Sequence, residues 1–204
     1  PIIEETPKLK IWEEIEKLRE NGSRLTTFRT YEVFCAESEQ MPSILREISR
    51  LREVTFREVG EGTNTECDID DYDYLYLHLF LWDNETQRIV GAYRLGMGAD
   101  IFAKKGIAGF YVHSLFRIHE KMHPLFKSSL EMGRAFIVKD YQSKPMPLFL
   151  LWKGITHVIL RNPDKVRYLT GCVSISNQFS KYSKGMMISY VKKHFYDDEM
   201  ANYI

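Results

Sequence analysis

A carboxylate and a guanidinium stand three residues apart, Glu131 and Arg134, inside the otherwise apolar run from Ser128 to Val138. Burying either charge without a partner is costly, so each must be paired or used. Five more residues sit in or beside apolar segments in the same way: Arg52 with Phe56 one helical turn on, Asp70 and Asp73 before a strand, and Arg94 within one. Two readings are open. The charges form a buried ion network that fixes the fold, or they line a polar site that uses them. In a regular strand Glu131 and Arg134 point to opposite faces, because their separation is odd. They share one site only if the strand bulges, and Gly133 is the natural place for the bulge.

Other patterns are weaker. His119-Glu120-Lys121-Met122-His123 spells H-E-x-x-H, which on a helix places two imidazoles around zinc. Pro124 follows at once and disfavours α geometry at His123. His113 lies off the same face, and no third ligand follows, so the stretch reads as a surface helix end and no metal is assigned. Asp68, Asp70, Asp71 and Asp73 suggest a calcium loop. The EF-hand pattern fails, since its sixth and twelfth positions are Asp73 and Leu79 rather than glycine and glutamate. A solvated acidic turn and an arginine- or substrate-binding one both remain. The glycines form no phosphate cradle, and no serine sits in G-x-S-x-G.

The elements that must position these residues follow from periodicity. Helices are predicted over Lys8–Glu20 and from Pro42 to Val59, the second capped by Gly60. Tyr31 to Ala36 reads as a strand. Leucines at 75, 77, 79 and 81 alternate with Tyr74, Tyr76, His78, Phe80 and Trp82. Arg88 to Leu95 returns antiparallel, and both faces of this hairpin are apolar enough for a central place in a sheet. Gly96 to Gly109 reads as irregular, His113 to Met122 as helical, and Leu130 to Val138 as a strand. An apolar helix from Pro147 to Leu160, a strand from Val166 to Ile175 and a helix from Asn177 to His194 complete the order. The order implies an α/β fold with a mixed sheet.

The 204 residues fit about one domain, and formal net charge is zero, which gives no basic footprint for nucleic acid. Three separated cysteines with no C-x-x-C pair fit a reducing, cytoplasmic setting. No apolar run reaches the roughly 18 residues that a membrane span needs.

Four short motifs in order carry a resemblance: Arg52-x-x-x-Phe56, Asp70-x-x-Asp73, Val90-Gly91-Ala92-Tyr93-Arg94 and Glu131-x-Gly133-Arg134. They are similar to those of the acyl-homoserine-lactone synthases. They resemble still more their relatives, the bacterial ornithine-lipid and glycine-lipid N-acyltransferases also labelled hemolysins, with Tyr72-Asp73, His78-Leu79 and Leu151-Trp152 in support. The resemblance covers about Met41 to Phe195. It implies a GNAT-like, mixed and mostly antiparallel central sheet flanked by helices, over residues 41–204. Residues 1–40 resemble a junction to a preceding glycerophosphate-acyltransferase-like domain. The tryptophan expected six residues after Phe56 is Gly62, which argues against a lactone product.

The resemblance further implies an N-acyltransferase of membrane aminolipid synthesis. The donor is an acyl thioester, fatty or 3-hydroxy fatty, on acyl carrier protein or CoA, and the acceptor is an amino acid. Lys139 to Pro145 replaces the usual pyrophosphate loop, which favours the carrier protein. Aminolysis needs a neutral amine, a stabilised oxyanion and a protonated leaving thiolate. Glu131 is the candidate base, Arg94 or Arg134 the candidate carboxylate binder, and Asp70 with Asp73 would hold the amine or lock Arg52. Arg52, Phe56 and Arg94 fall to substrate binding. Apolar residues of the hairpin and the Pro147 helix could line an acyl pocket but read more readily as core. The competing functions are a non-catalytic carrier-binding module for a fused acyltransferase and a pore-former. Peripheral contact with the inner face of the cytoplasmic membrane is a further expectation.

Overall fold

The sheet is built outward from the hairpin. In the computed structural model, which describes residues 1–176 and 178–204, β3 (Leu77–Asp83) pairs with β4 (Arg88–Met97) on one side and β2 (Tyr31–Glu37) on the other. Leu79, Phe80, Leu81 and Trp82 are each at most 1% exposed, so β3 is buried on both faces, as its composition predicts. β1 (Arg24–Phe28) extends the sheet beyond β2, and β5 (Ser129–Ile137) and β6 (Tyr168–Thr170) extend it beyond β4. Strand order follows the chain. Every neighbouring pair is antiparallel except β5 and β6, which are parallel.

Helices cover both faces. Trp152 of α7 (Pro145–Arg161) meets Tyr93 edge-on, while the next residue, Arg94, points away to the opposite face. α2 (Pro42–Glu58) lies on that opposite face against β4 and β5, and α1 (Lys8–Glu20) packs on α2. α7 approaches closely through Gly154: a methyl there would stand 2.7 Å from Val33 Cγ1 and 2.9 Å from Leu79 Cδ1. Leu150, Leu151, Ile155 and Val158 of α7 are core, so the apolar reading of this helix holds as packing. Residues 1–40 belong to the same core through Ile11, Ile15, Leu18, Val33 and Phe34.

Several elements depart from the periodicity. β1 has a polar, half-exposed sequence typical of an edge strand and carries no alternation to find it by. Gly96 to Gly109 is not irregular: β4 runs to Met97 and α3 (Gly98–Lys105) follows. Gly98 is required because a side chain there would collide with the Phe126 and Ser129 carbonyls. His113 to Met122 is not one helix. The chain forms α4 (Tyr111–Leu115), an extended link and a 3₁₀ turn before α5 (His123–Lys127), because Pro124 starts a helix in its first turn instead of ending one. The late strand shrinks to Tyr168–Thr170. The last long helix, α8 (Lys181–Phe195), starts at a Ser180 hydroxyl cap, and Asn177 lies outside the described residues.

His119 and His123 therefore do not share a helix face. The His119 ring packs beside Tyr203 and the His123 ring beside Phe102.

Candidate active site

Arg52, on the sheet-facing side of α2, is 1% exposed. It grips Asp73 with two near-parallel bonds, Nη1 to Oδ1 at 2.8 Å and Nη2 to Oδ2 at 2.9 Å, and Nη2 also donates to the Asp68 carbonyl. Asp73 sits in a single 3₁₀ turn that Asp70 caps. Asp70 Oδ1 accepts from the Tyr72 N–H, and the Asp70 N–H donates to Asp73 Oδ2 at 2.9 Å. This reciprocal box is the local reason for two aspartates three apart. The acidic cluster is thus no solvated turn: Asp68 and Asp73 are buried.

Arg94 reaches the same turn from β4. Its Nη1 lies 2.6 Å from Asp70 Oδ1 and 3.3 Å from Asp73 Oδ2. The rings of Tyr72, Tyr76 and Tyr111 surround its guanidinium at 5.5, 5.4 and 5.5 Å. Arg134 closes the cluster more loosely, with Nη2 3.5 Å from Asp68 Oδ1 and 3.7 Å from Asp70 Oδ2, above the Tyr111 ring. Three guanidinium groups thus meet three carboxylates. Phe56 packs half-buried against the apolar core and adds no polar group.

Arg134 reaches this face because β5 bulges. Ala92 pairs with Phe136 and Arg94 with Gly133, so Arg134 and Ala135 together oppose Tyr93. The bulge falls at Arg134, one residue beyond the predicted Gly133. Arg134 itself takes the left-handed conformation at φ 50°, while Gly133 needs no positive φ. A non-glycine residue there costs roughly 1–2 kcal/mol, the kind of strain that gathers at functional positions.

Glu131 is 3% exposed. Its Oε2 accepts from the Tyr76 hydroxyl and the Tyr111 N–H, and Oε1 accepts from the Val112 N–H at 2.8 Å. It therefore ties the start of α4 to β5 and sets Tyr111 against Arg94 and Arg134. Gly96 makes room for this, since a methyl there would stand 2.6 Å from the Tyr76 ring. Burial and the Glu131 charge push the Tyr76 phenol far above its usual range, so it stays a donor.

Burial alone would raise Asp73. The Arg52 bonds, the charges of Arg52 and Arg94 and the Asp70 N–H outweigh it and hold the carboxyl at about 2. Asp68 goes the other way: burial raises it against Arg52 and Arg134. His78, opposite Arg94 in the sheet, has Nε2 2.8 Å from the Asp73 carbonyl, and burial lowers it to about 4. A histidine held neutral when folded stabilises the protein above its unfolded pKa near 6.5, and that stability is lost as pH falls toward 4. Urea unfolding at pH 5 is expected to show about 2 kcal/mol less stability than at pH 8 from this group. His78→Asn should remove most of that difference.

Solvent reaches only two members of the cluster, Asp70 and Arg134, whose side chains are 30% and 23% exposed. They lie where the parallel strands separate. β6 pairs with β5 only up to Thr170 opposite Glu131, while β5 continues to Ile137. Neither of two concavities, one of about 640 Å³ between α5 and α9 (Asp198–Ala201) and one beside Tyr76 and Lys104, includes these two residues. The two residues sit at an open strand fork. The ion network encloses Arg52, Asp73 and Arg94, and leaves Asp70 Oδ2 and Arg134 at its solvent edge.

Sequence reasoning did not assign Tyr76, Tyr111, Asp68 or His78 to the site. Asp68, Tyr76 and His78 carried a signal, through the acidic cluster and the strand alternation. Tyr111 had none, because the turn that delivers it is specified by contacts distant in sequence. Gly62 packs on Arg57, whose Cγ would lie 2.5 Å from an added methyl, so a tryptophan has no room there.

A sequence model of the acetyltransferase (GNAT) domain matches residues 51–152, half of the chain. The chain is similar to a glycine N(alpha)-acyltransferase of Bacteroides thetaiotaomicron, 29% identical over 187 residues, covering 86% of this chain and 55% of that protein. It is 28% identical to a glycine N(alpha)-acyltransferase of Phocaeicola vulgatus, again covering 86% of this chain and 57% of that protein. The chain thus spans little more than half the length of these relatives.

Proposed function

The chain belongs to the GNAT acetyltransferase-domain family, and on that premise we propose that it transfers a fatty acyl group from a thioester to the amine of an amino acid, with glycine the first candidate. The observation that carries this reading is the solvent edge of the ion network: Arg134 and Asp70, of opposite charge and open to solvent, at the fork between β5 and β6. A small amino-acid zwitterion fits such a pair, its carboxylate on the Arg134 fork and its ammonium on Asp70 Oδ2. Arg94 is too enclosed for that task. Both relatives are glycine N(alpha)-acyltransferases, which makes glycine the first acceptor to test.

In the reaction one ammonium proton leaves, the amine attacks the thioester carbonyl and the C–N bond forms; the C–S bond then breaks, and the second proton lost by the nitrogen goes to the leaving thiolate. Backbone N–H groups of β5 beyond its pairing with β6 would receive the oxyanion. Both Glu131 oxygens are taken by donors and the residue is buried, whereas Asp70 Oδ2 reaches solvent and carries only the long Arg134 contact; we therefore assign the first proton to Asp70 and give Glu131 the task of fixing α4 and Tyr111. Asp70→Asn is expected to lower kcat about 10²- to 10³-fold with the fold kept. Glu131→Gln, which turns an amide N–H toward a backbone donor, should lower it about tenfold. If Glu131→Gln is the more damaging while unfolding is unchanged, the proton acceptor is Glu131.

The donor reading favours acyl carrier protein. α6 (Lys139–Gln142) and the start of α7 follow β5, and Pro145 and Pro147 supply no N–H at that helix start. A pyrophosphate finds few donors there, whereas a carrier-borne pantetheine arm needs fewer. The product class, an acylated amino acid, suits membrane aminolipid synthesis in the cytoplasm. Mass spectrometry of products from acyl carrier protein and acyl-CoA thioesters, each with a panel of amino acids, tests donor and acceptor together. No acylated amino acid from either donor would leave the carrier-binding module as the alternative.

A further inference from the structure

Helix α8 contains no buried residue. Met187, Ile188, Val191 and Phe195 recur at i, i+1, i+4 and i+8 and so share one stripe, 38, 46, 53 and 72% exposed. Tyr190 borders this stripe, while Tyr182 and Met186 stand on the other side; the two tyrosines are amphipathic rings of the type favoured at membrane–water boundaries. The charged residues of this helix are all basic: Lys181 and Lys184, which continue the stripe at its N-terminal end with long stems that carry their charges outward, and Lys192 and Lys193, with His194 beside them. Asp197, Asp198 and Glu199 follow it, so this basic surplus is confined to the helix itself.

We propose that α8 is an interfacial helix that seats the protein on bilayers containing anionic lipid. The occupant follows from charge and apolar area together. A second copy of the helix packed in two-fold fashion would set lysines against lysines, which opposes self-pairing. An acidic protein surface would satisfy the lysines but give the Met187–Phe195 stripe little hydrocarbon to meet. An anionic bilayer supplies both, lipid phosphates for the lysines and acyl chains for the stripe. Among the described residues no helix is long and apolar enough to cross a membrane, so the contact is peripheral. This surface includes neither Arg134 nor Asp70, and its test does not depend on catalysis.

The test is co-sedimentation of the full chain with phosphatidylcholine vesicles, with and without 30% phosphatidylglycerol, at low and high salt. Binding is expected to need phosphatidylglycerol and to weaken at high salt. Lys192→Gln with Lys193→Gln should weaken it about thirtyfold, from about fivefold per lysine removed. Val191→Gln with Phe195→Gln should weaken it about tenfold or more. Because α8 buries nothing, both pairs should leave the thermal unfolding midpoint unchanged, which separates lost docking from lost folding. Equal binding of all variants, or no binding to either vesicle, overturns the proposal. So does an effect of the lysine pair on acyl carrier protein binding or on self-association with vesicle binding untouched.

Discussion

Asp73→Ala is expected to lower the unfolding free energy by about 3–5 kcal/mol at pH 7, as removal of one partner from a buried ion pair does. Asp73 is fully buried, accepts from Arg52 through both oxygens and from the Asp70 N–H, and forms an ion pair with Arg94 at 3.3 Å. Without it two guanidinium groups, 1% and 2% exposed, keep their desolvation cost and lose their main counter-charge. The 3₁₀ turn also loses half of its capping box, so Asp70 and the solvent edge of the network lose position with it. Asp73→Asn should be milder, since one acceptor oxygen survives. Exchanging the pair for apolar side chains, Arg52→Met with Asp73→Leu, should recover a large share of the loss. Chemical unfolding of the four proteins checks this, and a loss below about 1 kcal/mol for Asp73→Ala would show that Arg94 and Asp70 hold the turn alone.

Arg134→Gly is expected to separate stability from activity. Glycine relieves the left-handed strain, worth roughly 1 kcal/mol, while the two long ion contacts that disappear are partly exposed and contribute little. The unfolding free energy should therefore stay within about 1 kcal/mol of the starting protein. The same change removes the only accessible guanidinium of the cluster. Two charge-assisted bonds to an acceptor carboxylate would go with it, a loss of about 3 kcal/mol or about a hundredfold in kcat/KM for the amino acid, carried mainly by KM. Arg134→Lys keeps the charge without the fork and should fall between the two. Steady-state kinetics with varied amino acid, beside thermal unfolding, decides it. An unchanged KM would mean that the acceptor carboxylate binds elsewhere.

Much of the fold is legible because its periodicity is strong. The β3–β4 hairpin shows alternation over both strands, α2 shows a stripe that Pro42 opens and Gly60 closes, and α7 is apolar enough to need burial. β1 was invisible because an edge strand need not alternate. α3 was hidden because Gly98, needed for close approach to two carbonyls, reads locally as a loop residue. The site followed the same division. Its charges could be found because a charge in an apolar run has no packing reason to be there. Tyr111 could not, because an aromatic in a glycine-rich stretch has many ordinary explanations.

The sequence by itself determined that Arg52, Asp70, Asp73, Arg94, Glu131 and Arg134 must find partners, since the cost of burying an unpaired charge does not depend on the fold. It also required a bulge if Glu131 and Arg134 were to meet, since strand parity allows nothing else. Only the tertiary structure decided which charges neutralise one another. The register of β4 against β5 put the extra residue at Arg134, and the capping turn brought Asp73 to Arg52. With those pairs closed, Arg134 and Asp70 were left at the fork where β6 departs. Pairing among six charges depends on distances of a few ångströms between elements far apart in the chain, and local patterns carry no record of those distances.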